Sequence, residues 1–93
     1  MTTLFRDVFD YIFRKKTIVF LGRAGLHCYY NGEKYFVDSE MLVSPLYDIV
    51  VYSDRIHLIS MGKKLTVDET TKSNVLTFLK MELEKRHIKF EVS

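Results

Sequence analysis

Three histidines and one cysteine are the residues of this chain best suited to metal binding or acid-base chemistry: His27, His57, His87 and Cys28. No two of the histidines stand at the spacing of a helical or hairpin ligand pair, and a zinc site needs four donors converging tetrahedrally. His27 and Cys28 are neighbours in a segment that reads as a strand, where consecutive side chains point to opposite faces, so they cannot share one metal. A Cys28–His57 nucleophile–base pair would have to be assembled by folding, with Cys28 on the core side, where thiols are inert. His87 falls at the end of a helical pattern, where a cation complements the helix dipole without any catalytic role. The sequence contains no G-x-S-x-G, no glycine-rich phosphate loop and no H-E-x-x-H. The expectation is a protein that is not an enzyme and uses no cofactor or metal.

Composition sets the frame for that expectation. The chain has 93 residues, 47% hydrophobic and 28% charged, which suits one domain with a single core. A lone cysteine excludes an internal disulfide framework and fits a reducing compartment, making the cytoplasm the expected location. The apolar run 17–21 is far shorter than a membrane span or a secretory h-region. Net charge is only +2, but it is unevenly spread: residues 1–36 carry six Lys/Arg against three Asp/Glu, residues 37–62 one against four, and residues 63–93 seven against five. The acidic middle holds Asp38, Glu40, Asp48 and Asp54.

The elements that position these residues follow from periodicity. In residues 3–15, Leu4, Phe5, Val8, Phe9, Ile12 and Phe13 recur at helical spacing, with Arg6, Asp7, Asp10 and Arg14 opposite. The mixed signs on the polar arc favour packing on the domain's own sheet over a lipid surface. Residues 17–21 read as a strand that stops at Gly22 and Gly25. Asn31-Gly32 is the favoured two-residue hairpin turn, and it sets Leu26 opposite Val37, Cys28 opposite Tyr35 and Tyr30 opposite Glu33. Residues 38–46 read as an irregular connection or short strand extension. Segments 49–52 and 56–59 read as two strands linked by Ser53-Asp54-Arg55, and 61–65 as a loop. Thr66 and Glu69 match a capping box for a helix running to about Arg86, with Val75, Leu76, Phe78, Leu79 and Leu83 on one arc. On that helix Glu82 and Arg86 are spaced for an ion pair. Ile88, Phe90 and Val92 alternate as a closing strand. The expected architecture is α+β: a largely antiparallel sheet of about five strands, a long helix from the C-terminal half on one face, and an extra N-terminal amphipathic helix.

Four stretches together resemble a known family. They are Gly25-Leu26-His27-Cys28-Tyr29 leading through Asn31-Gly32 to Tyr35; Asp38-Ser39-Glu40-Met41-Leu42; Tyr47-Asp48-Ile49-Val50-Val51-Tyr52; and the helix–strand tail 66–92. In order and wording they are similar to the Immunity protein 74 family of bacterial polymorphic toxin systems. The likeness begins near Thr17, leaving residues 1–16 as a helical extension of a 17–93 core. It departs where the family has a tryptophan shortly after the position of Ile56; Leu58 and Ile59 stand there, and the chain has no Trp. The resemblance implies a non-enzymatic protein that binds a cognate protein toxin and neutralises it in the producing cell.

Such a role needs a preformed surface with a few anchors and complementary charge. The acidic middle nominates Glu40, Asp48 and Asp54 as charged contacts, with Tyr47 and Tyr52 as anchors. The alternative is a small nucleic-acid-binding or regulatory module using Arg14, Lys15, Lys16, Arg23, Lys63 and Lys64, which the weak net charge and the missing RRM aromatic signature disfavour. A third class, an oligomerising domain, would use the aromatic N-terminal segment.

Overall fold

A computed structural model describes residues 17–93; the helix expected at 3–15 and the basic run at 14–16 lie outside the described residues. Strand β1 (Ile18–Phe20) leads through a 3-10 turn (Gly22–Ala24) into β2 (Leu26–Tyr30). β2 turns at Asn31-Gly32 into β3 (Glu33–Met41). Both turn residues have positive φ, 53° and 78°, as a type I′ turn requires, and Asn and Gly tolerate that conformation best. The expected register holds: Leu26 faces Val37, Cys28 faces Tyr35 and Tyr30 faces Glu33.

Strand β4 (Ile49–Ser60) corrects the sequence reading of this region, because 49–52 and 56–59 belong to one twelve-residue strand rather than to a hairpin. β3 is long enough to pair with both halves, Val37–Lys34 with Ile56–Ile59 and Ser39–Met41 with Val51–Ile49. Between the two paired blocks Asp38 alone stands opposite residues 52–55. The turn-forming Ser53-Asp54-Arg55 is therefore absorbed as a bulge, which bends the strand and frees its polar groups for other partners.

The expected loop at 61–65 is instead a second tight hairpin. Met61 and Gly62 have φ 51° and 75°, and β5 (Lys63–Thr66) returns antiparallel along β4. With Thr66 committed to that ladder, the cap moves two residues on. Asp68 is the N-cap of helix α1 (Glu69–Lys85), and its carboxylate accepts from the Thr71 N–H at 2.7 Å. The helix ends in a Schellman arrangement: the His87 N–H donates to the Glu84 carbonyl and the Ile88 N–H to the Leu83 carbonyl, with His87 at φ 58°.

β6 (Phe90–Val92) then runs parallel to the first residues of β4, on the same β4 edge that β5 uses further along. The strand order is β1-β2-β3-β4, with β5 and β6 sharing the final edge. The α+β class and the mostly antiparallel sheet are as the sequence indicates; β6 is its parallel exception.

The core lies between α1 and one sheet face. Val75, Leu79 and Leu83 of α1 are fully buried over Leu26, Cys28, Val37, Ile49, Val51 and Ile56, with Leu76, Phe78, Ile88 and Phe90 half-buried at its rim. Each buried aliphatic side chain contributes about 1.5–3 kcal/mol relative to exposure. Val92, expected in the buried stripe, is 38% exposed at the end of β6.

Candidate functional site

The bulge in β4 gathers the polar groups of the acidic middle segment. Asp38 and Glu40 alternate with buried Val37 and Ser39, so both point away from α1 onto the outer sheet face. Across from them the Arg55 guanidinium donates to the Asp38 carboxylate at 3.1 Å and lies 5.0 Å from the centre of the Tyr52 ring. Partial desolvation, then the negative charge of nearby Glu40, raise the pKa of the Tyr52 phenol, with Arg55 acting in the opposite sense. Glu40, Tyr52, Arg55 and Asp38 thus form one continuous array, and Arg55 remains 60% exposed within it.

The bulge is fixed from behind. Ser53 directs both its N–H and its hydroxyl to the Ser93 carbonyl, each at 2.9 Å, and Lys72 of α1 donates to the Asp54 carbonyl at 3.2 Å. These contacts meet backbone groups that the bulge withdraws from the β3 ladder. Asp54 itself is exposed beside the array.

The five residues nominated from sequence separate into three roles. Glu40 and Tyr52 join directly, and Asp54 flanks them. Asp48 is a structural pin: its carboxylate accepts from the Lys89 N–H at 3.0 Å and its own N–H donates to the Lys89 carbonyl at 2.8 Å, which fixes the approach to β6. Tyr47 lies on the 42–48 connection, 37% exposed, near the more exposed Val43 and Leu46. The array also contains Asp38 and Arg55, which were not nominated. Asp38 was legible as Glu40's neighbour two residues back on the same strand face. Arg55 required the bulge.

The rest of the outer face is aromatic and basic. Register places Val19, His27, Phe36, His57 and Thr66 in one cross-strand row. His27 meets Phe36 edge-on at 6.3 Å, and the Lys64 ammonium sits 3.8 Å from the centre of the Phe36 ring. Desolvation, then Lys34 and Lys64, lower the pKa of His27. Cys28 is on the inner face, fully buried, and its thiol is pushed up to about 12 by burial and by the charge of Glu82. Cys28 and His57 therefore stand on opposite faces and form no dyad. Among the described residues, no three His, Cys, Asp or Glu side chains gather as a metal site. The proposed basic residues divide as well: Arg23 precedes β2 at one end of the sheet, while Lys63 and Lys64 lie beside Ser60 and Ile59 at the other.

No family model, curated protein or solved structure matches the chain. Among the described residues no helix is long and apolar enough to cross a membrane. The arrangement offers recognition chemistry: a carboxylate, phenol and guanidinium array with an exposed acidic rim.

Proposed function

We propose that this chain is a non-enzymatic immunity protein that binds and neutralises a cognate protein toxin in the cytoplasm of the producing cell. The motif resemblance supplies the class of function, and the array at the β4 bulge supplies a surface suited to it. The observation that carries the reading is the exposed Arg55 guanidinium, held by Asp38 and lying over the Tyr52 ring, both residue types that anchor interfaces, with the Glu40 carboxylate nearby. An array already ordered loses little side-chain entropy on association. Arg55 is paired with Asp38, so Glu40 and Asp54 carry the uncompensated charge and favour a basic partner surface.

The test is the double charge reversal Glu40→Lys and Asp54→Lys. Both side chains are exposed and neither supports the core, so the thermal midpoint stays within a few degrees of the parent. Protection of cells expressing the toxin falls, and the association rate drops at least tenfold at low salt. A folded double variant that protects as well as the parent overturns this surface. Retained binding with unchanged salt dependence removes the electrostatic part of the reading.

A further inference from the structure

Four of the eight large apolar side chains exposed among the described residues, Met41, Val43, Leu46 and Tyr47, fall on the end of β3 and the 42–48 connection. Single exposed apolar residues are ordinary, but four on one short segment mark a contact surface. Val43 is fully exposed and Leu46 is 69% exposed, with Pro45 between them in the chain. We propose that this connection is an apolar hook that inserts into a cleft of a protein partner, a cleft lined by apolar side chains and edged by Lys or Arg. The inference rests on the toxin-binding reading and adds the chemistry of the partner's surface to it.

Shape and charge both favour that occupant. The base of the connection is closed by the Leu42 N–H donating to the Asp48 carbonyl at 2.9 Å, and Asp48 is itself tied to Lys89. Within it the Leu46 N–H donates to the Ser44 hydroxyl oxygen at 3.1 Å, and the Pro45 ring fixes its own φ. A loop closed in this way presents Val43 and Leu46 with little ordering left to lose on association. The surrounding charge selects the partner. Residues 38–54 contain Asp38, Glu40, Asp48 and Asp54 and no Lys or Arg, and Met41 directly follows Glu40. Asp38, opposite the β4 bulge, is three strand residues, about 10 Å, from the base of the connection, so hook and array make one surface. Lys89 and Glu91, which flank that base on the β6 side, balance each other. A second copy docked symmetrically would bring the acidic surface against itself, and an anionic membrane would repel it. A basic-edged protein cleft suits both the apolar hook and the charge beside it.

The experiment uses two full-length chains, one with Val43 and one with Asp54 replaced by the photo-crosslinker p-benzoylphenylalanine, each expressed in its native cells and read by peptide mass spectrometry. The expected result is that both positions label the same polypeptide, with the adduct from position 43 on a peptide carrying apolar residues and at least one Lys or Arg. Adding Val43→Ser and Leu46→Ser to the chain labelled at position 54 lowers its adduct yield at least tenfold. The thermal midpoint stays within a few degrees, because neither side chain belongs to the core. Labelling from position 54 but not from position 43 overturns the hook and leaves the array reading standing, whereas labelling from neither overturns both. An adduct from position 43 on a second copy of this chain, or on an acidic peptide, overturns the proposal. So does flotation of the parent chain with vesicles of equal parts phosphatidylcholine and phosphatidylglycerol, or an unchanged yield in the double serine variant.

Discussion

Glu82 lies in the last turns of α1, one turn before the Arg86 that reaches Thr17 just ahead of β1. Helical spacing points to Arg86, yet the carboxylate pairs with Lys85 at 3.3 Å, while Arg86 donates to the Thr17 hydroxyl at 3.2 Å. Thr17 lies far away in sequence, so no local pattern could announce it. The Glu82 side chain is 12% exposed, and the polar influence of the Thr17 hydroxyl, followed by Lys85 and Arg86, outweighs its desolvation and lowers its pKa. A depressed folded-state pKa stabilises the protein above the unfolded carboxylate value, and that contribution disappears as pH falls through the folded one. Glu82→Gln should therefore cost about 1 kcal/mol at neutral pH, with the difference closing as the solution is acidified below the ordinary glutamate range. Thermal melts of both proteins from pH 7 to pH 3 check this. A gap that stays constant across that range would show that the lost packing, not the charge, matters. Cys28 was legible by contrast, because the Asn31-Gly32 turn fixes its register and hence its burial.

The elements were legible wherever a local signal agreed with the long-range pairing. The Asn31-Gly32 hairpin and the apolar arc of α1 are of this kind. Ser53-Asp54-Arg55 has the composition of a turn, and only the length of β3 decides that it becomes a bulge. Met61-Gly62 forms a type I′ turn without the usual Asn or Asp at its first position, so only Gly62 signalled it. Gly25 also has a structural task that sequence could not assign. At φ 111° it favours glycine, and an added Cβ would lie 2.8 Å from the Val37 carbonyl oxygen and 2.9 Å from the Phe36 ring, which covers it from β3. The neighbouring backbone cannot yield as a flexible side chain could. Gly25→Ala should destabilise by about 2–4 kcal/mol, combining backbone strain with overpacking. Gly62→Ala, with open space at the same position, should cost about 1–2 kcal/mol, from the left-handed conformation alone. Urea denaturation of the two variants measures the difference, and equal losses would show that the contact with Val37 relaxes freely.

At the scale of the whole molecule, the candidate surface depends on the chain's last strand. β6 closes the edge of β4 that β5 leaves open, and Ser93 reaches the bulge with its carbonyl while its N–H donates to the Val51 carbonyl at 2.8 Å. Residues at 52–55 are thus shaped jointly by β3 in front, α1 through Lys72, and β6 from the far edge. This convergence is why the acidic middle could be picked out by composition but not assembled: its geometry draws on segments up to 40 residues apart. Deleting residues 91–93 tests that dependence. Ile88 and Phe90 still pack against the core, and the Asp48–Lys89 pin is untouched, so the domain should stay folded with a loss of about 2–4 kcal/mol from the edge hydrogen bonds, within the 5–15 kcal/mol of an ordinary domain. Ser53 loses both contacts to Ser93, and its amide should exchange at least tenfold faster while amides of β2 keep their protection. Toxin protection should then weaken in a chain that retains Glu40, Tyr52, Asp54 and Arg55. If Ser53 remains protected after the deletion, β3 and α1 suffice to hold the bulge, and the array owes its order to the front of the sheet alone.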